Sequence, residues 1–155
     1  MPGARSRGVD SVYSEVDTVY MLSQQSQVMG GILFLSLVTV ESGGAFMARV
    51  VLGSQPATAL QTSFFRAGHA HAGVLILAAL VAQVFVDATD LSGVFEWVAR
   101  SGIALAAILM PAGFFLSVIK PGTEQPNRLV LLLPIGATLL GVGAATLGIG
   151  LLAAA

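Results

Sequence analysis

Four ionisable side chains fall inside runs too apolar to solvate them: Glu41, Arg66, His69 and His71. Glu41 follows the apolar stretch Val28–Val40, and the other three sit within Phe64-Phe65-Arg66-Ala67-Gly68-His69-Ala70-His71-Ala72-Gly73. A carboxylate in hydrocarbon costs on the order of 2.5–3.5 kcal/mol unless it is paired or protonated. Histidine titrates near neutral pH. A carboxylate and histidines in one apolar layer are the parts from which a proton relay is made. The same parts also make a structural ion pair that docks two helices.

Whether they share a layer depends on the elements that carry them. The chain has four apolar stretches, from about Gln24–Val28 to Val51, Thr62 to Val86, Gly93 to Ile119 and Leu129 to Leu152. Each reaches the ~20 residues that cross ~30 Å of hydrocarbon at 1.5 Å per residue. Inside lipid each segment must satisfy its own backbone amides, so these runs are helices. Turn chemistry separates them: Gly53-Ser54-Gln55-Pro56, Asp87-Ala88-Thr89-Asp90, and Lys120-Pro121-Gly122 followed by Gln125-Pro126-Asn127. The expected fold is all-α, a polytopic membrane protein with a four-transmembrane-helix bundle over residues 24–155 behind a polar N-terminal tail, residues 1–23. That tail carries Arg5, Arg7, Asp10, Glu15 and Asp17 and has no apolar core of a signal peptide.

In an antiparallel hairpin, residues equally far from the turn lie at equal depth. Glu41 is fifteen residues before Pro56 and His71 fifteen after. His69 is about 3 Å shallower, and Arg66 shares its face at i and i+3. A cluster of Glu41, Arg66 and His69 could therefore neutralise itself, although the depth match fixes height and not which histidine faces Glu41. His69 and His71, about 200° apart around the axis, cannot bind one metal together. With no third histidine and no cysteine, a zinc or iron–sulfur site is not expected. A haem would need one histidine plus Met29, Met47 or Met110, or a symmetric partner chain.

Small residues set the packing. Gly136, Gly143 and Gly150 recur every seven residues, as do Gly141 and Gly148. A glycine stripe lets helix backbones approach in lipid, within one bundle or between subunits. Gly68 and Ala72 make a shorter pair, and Pro111 interrupts the third span. Glu96, Trp97 and Arg100 read as an interfacial anchor, an aromatic beside an i, i+4 charge pair that can snorkel.

Charged residues are 10% of the chain, against about a quarter in a soluble domain, so little polar surface exists to cover a water-facing fold. A net charge of −1 argues against a nucleic-acid partner, which needs a basic face. Nothing matches a phosphate loop, a nucleophile elbow or a metalloprotease helix, so no catalytic residue is assigned. Arg49, Arg66, Lys120 and Arg128 flank the first and third loops. The basic bias places those loops in the cytoplasm and both termini outside the plasma (inner) membrane.

Phe64–Gly73, Pro111–Leu116 and Pro126–Leu129 together resemble a family of small, uncharacterised four-helix membrane proteins of actinobacteria, over most of the chain after the tail. The resemblance implies the four-span fold and supplies no catalytic residues. Small proteins of this look occur as accessory subunits of respiratory supercomplexes. The first expectation is therefore a non-catalytic accessory subunit of a larger membrane complex in electron transport, with other membrane protein subunits and the lipid bilayer as partners. The second is a small oligomeric proton-coupled transporter or channel using Glu41 with His69 or His71. The third is a haem- or quinone-binding membrane protein.

Overall fold

A computed structural model describes residues 22–155, so residues 1–21 of the proposed tail lie outside the described part. The described chain is all-helical, with four helices long and apolar enough to cross a membrane: α1 Gln24–Val51, α2 Ala59–Val86, α3 Gly93–Ser117 and α4 Leu132–Ala154. A single 3-10 turn, Arg128–Leu131, leads into α4. This is a multi-pass membrane protein with a four-helix bundle.

Local chemistry explains where the helices begin and end. Ser23 caps α1, its hydroxyl accepting from the Ser26 N–H at 3.1 Å. α2 starts three residues before the apolar run because Thr58 and Gln61 form a reciprocal capping box. α3 stops at Ser117, two residues short of the apolar run. There the Ser117 carbonyl accepts from the Asn127 N–H at 2.8 Å, and Pro121 disfavours helix in the residue before it. Asn127 in turn caps the 3-10 turn, accepting from the Leu129 N–H at 2.8 Å. Pro134 falls in the first turn of α4, where a missing N–H costs no helical bond.

The helices pack mainly in chain order: α1 on α2, α2 on α3, α3 on α4. The core is made of small residues. Ala79, Ala99 and Ala106 are fully buried, with Leu33, Leu75, Ile76, Ile103 and Leu147 around them. At the α3–α4 crossing, a Cβ on Gly102 would lie 2.8 Å from the Gly143 Cα, so only hydrogen fits between the two backbones. Every helix turns large apolar side chains outward, among them Phe34, Val81, Val94 and Ile149. In water that surface would be an aggregation hazard; in a bilayer it is the lipid face.

Candidate functional site

Two polar regions stand apart, one at an end of the bundle and one near its middle. The end region centres on Arg100, the one charged residue buried among the described residues, at 3% exposure. Its guanidinium donates to Asp87 Oδ1 at 2.6 Å, to Glu96 Oε1 at 3.0 Å and to Ser26 Oγ at 2.6 Å. Ser26 passes its proton on to the Gln83 carbonyl at 3.0 Å, and the Gln83 amide donates to the Arg100 carbonyl at 2.9 Å. Asp87 also accepts from the Ser23 N–H at 2.9 Å and hydroxyl at 2.8 Å. Three helices are thereby tied at one end. Burial pushes the Asp87 carboxyl upward, but the hydrogen bonds from Arg100 and Ser23 outweigh it and hold the group below its ordinary 3.8. The Gln83 side-chain oxygen is buried without a hydrogen-bond partner.

This network corrects one part of the interfacial-anchor reading of Glu96, Trp97 and Arg100, that the arginine snorkels outward. The pair exists and Trp97 is exposed, but Arg100 itself is inside the bundle. The available signal was its position seven residues into α3, about 10 Å below the helix start, close to the short Asp87–Ser92 link that brings α2's end beside it.

Near the middle, Glu41, Arg66, His69 and His71 do not gather. Glu41 points outward from α1 and is exposed. Among the described residues it makes no ion pair; the two ion pairs present both belong to Arg100. Arg66 is exposed on α2, beside Ala59, Thr62 and Ser63. His71 holds Nδ1 against the Ala67 carbonyl at 2.8 Å and packs on the Phe114 ring at 5.0 Å between centroids. His69 turns the other way. Its Nδ1 is 3.4 Å from where a Cβ on Gly43 would sit, and its ring lies over Gly44 as well. Gly43 is thirteen residues before Pro56 and His69 thirteen after, so the two share a depth. Glu41, two residues from Gly43, is rotated by about 200° and leaves that contact.

His69 closes one end of a cavity of about 430 Å³ between α1 and α3, floored by α2. Aromatic rings stand beside it: Phe115 stacks on Phe65 at 5.6 Å, and Phe46 meets Phe65 edge-on at 5.2 Å. Gly68 allows that arrangement, since a Cβ there would be 2.9 Å from the Phe115 ring. The stretches Phe64–Gly73 and Pro111–Leu116 thus pack on each other. The seven-residue glycines divide. Gly136, Gly143 and Gly150 press against Met110, Gly102 and Leu91 within the bundle, whereas Gly141 and Gly148 have nothing within 4 Å. Among the described residues no group of three His, Cys, Asp or Glu side chains could hold a metal ion.

No protein-family model, curated protein or solved structure matches this chain.

Proposed function

We propose that the chain is a non-catalytic accessory subunit of a larger membrane complex and that it docks through the outer face of α1. The observation that supports this is Glu41. It lies about 5 Å from the α1 midpoint and faces outward, with no ion-pair partner among the described residues. A carboxylate placed there is offset by protonation or by a partner from outside the described chain, and a helix that supplies a donor meets the second condition.

The rest of that face suits a helix. Gln27, Gly31, Phe34, Val38, Glu41, Ala45 and Ala48 are all exposed and alternate four and three residues apart, the period of a helix–helix seam. Gly31, Ala45 and Ala48 let a neighbour approach. The partner is a transmembrane helix that presents lysine, arginine or another hydrogen-bond donor at the depth of Glu41. The respiratory electron-transport class is supported by the family resemblance alone and names the complexes to look for first.

The test is to solubilise tagged protein in mild detergent and identify what remains bound through size separation. Wild type is expected to travel with large oxidase or reductase subunits in fixed ratio, and Glu41→Leu to run alone while keeping its helical content. A wild-type protein that runs alone or as a homo-oligomer overturns the proposal and favours the proton-coupled oligomer, in which the Glu41 seam meets its own copy.

A further inference from the structure

The cavity between α1 and α3 is walled by Leu33 and Val40 on one side and Ala104 and Ala107 on the other, with Ala72 and Ile76 as its floor. The alanines leave the space. A volume of about 430 Å³ falls in the ordinary range of small-molecule sites, which are mostly apolar with a few placed polar groups.

The polar groups here are few and one-sided. Ser36 and Ser101 line the cavity but donate to their own helices, to the Ile32 carbonyl at 2.9 Å and the Trp97 carbonyl at 2.6 Å. Two lining donors remain, His69 and Thr39. Neither side chain appears in a hydrogen bond among the described residues, while the neighbouring His71 does. A half-buried imidazole in hydrocarbon has no water to turn to, and leaving its N–H unmade costs the full desolvation of the group.

Depth narrows what can satisfy them. His69 lies about 5 Å from the midpoint of α2, hence roughly 10 Å inside the hydrocarbon boundary of a ~30 Å core. A phospholipid headgroup does not reach that layer. An uncharged group that accepts hydrogen bonds fits that depth and the two donors. Thr39 lies seventeen residues before Pro56 and His69 thirteen after, so the two donors are separated by about 6 Å along the axis. Donors so spaced can each meet one of two carbonyl oxygens on opposite sides of a six-membered ring, with a hydrogen bond at either end, and Phe115 lines the same end.

We propose that this cavity binds a lipid-soluble quinone, its ring carbonyls accepting hydrogen bonds from His69 and Thr39 and its chain lying along the alanine wall. The proposal is independent of the α1 docking face. Ile32, Ser36, Thr39 and Gly43 line the cavity from the side of α1 opposite Glu41, so either can fail alone.

His69 and His71 give an internal control. The protein, labelled with ¹⁵N-histidine and held in phosphatidylcholine nanodiscs, is titrated with decylubiquinone. The His69 ring resonance is expected to shift saturably while His71 stays in place. Thr39→Val should weaken that binding about two- to tenfold, the value of one neutral hydrogen bond. Ser36→Phe, which fills the cavity from its less packed wall, should abolish it with the His71 resonance unmoved as the sign of an intact fold. Equal, unsaturable shifts of both histidines, the same His69 shift with 1-decanol, or full binding by either variant each overturns the proposal.

Discussion

Arg100 and Glu41 are both charged residues in transmembrane helices, and the chain treats them oppositely. Arg100 is enclosed and bonded to Asp87, Glu96 and Ser26. Glu41 is turned out of the bundle and bonded to nothing among the described residues. A buried charge that the chain satisfies itself holds helices together. A carboxyl that the chain presents to hydrocarbon without a partner of its own holds none of its helices together.

The comparison breaks most readily at Arg100. Arg100→Met leaves two carboxylates facing each other without a cation and should cost about 3 kcal/mol, the low end for a broken buried pair because Asp87 and Glu96 are partly exposed. Unfolding by increasing SDS in mixed micelles measures it; a loss near zero would mean the network is ornamental. Glu41→Leu should move the same measurement the other way, by up to about 2 kcal/mol of stabilisation, since it removes a carboxylate from the lipid face. A loss as large as that of Arg100→Met would show that Glu41 is paired inside the fold and would erase the distinction.

The glycines sharpen the same contrast between inside and outside. Gly102→Ala sets a Cβ 2.8 Å from the Gly143 Cα and 2.9 Å from the Leu139 carbonyl oxygen. Backbone cannot step aside as a side chain would, so a loss of about 1–3 kcal/mol is expected. Gly141→Ala, with open space around it, should leave the unfolding midpoint unchanged. The smallest effect concerns Asp87. A carboxyl held below its ordinary 3.8 contributes stability that is complete above that value and is lost as pH falls through the lower, folded one. Wild type should therefore lose about 0.5 kcal/mol more than Asp87→Asn between pH 5 and strong acid, the scale of a solvent-screened pair; parallel acid-unfolding curves for the two proteins would show that Asp87 contributes nothing.

Hydropathy made the helices legible because length and apolarity alone decide what can span a bilayer. α1 begins and ends where the apolar run does, and the ends that moved, at Thr58 and Ser117, moved for reasons of capping and hydrogen bonding that hydropathy does not weigh. The middle layer was legible in height but not in rotation. Counting from Pro56 says which residues share a depth; it does not say that Gly43 rather than Glu41 faces His69. The Arg100 network was hidden for a different reason. Its members come from three helices, and the i, i+4 spacings of Gln83 with Asp87 and of Glu96 with Arg100 do not say that Ser26 meets them. Of the two glycine periods, both equally regular in the sequence, only the one containing Gly143 meets backbone.

The bond between Arg100 and Ser26 spans 74 positions of the chain, and a ribosome adds about 5–20 residues each second. Some 4–15 s therefore separate the synthesis of the serine from that of its arginine. Until then the start of α1 can be held only by the end of α2, through the Gln83 carbonyl, 57 positions from Ser26, and the Asp87 carboxylate, 64 positions from Ser23. A partner helix meeting α1 during those seconds meets it before Arg100 has locked its end.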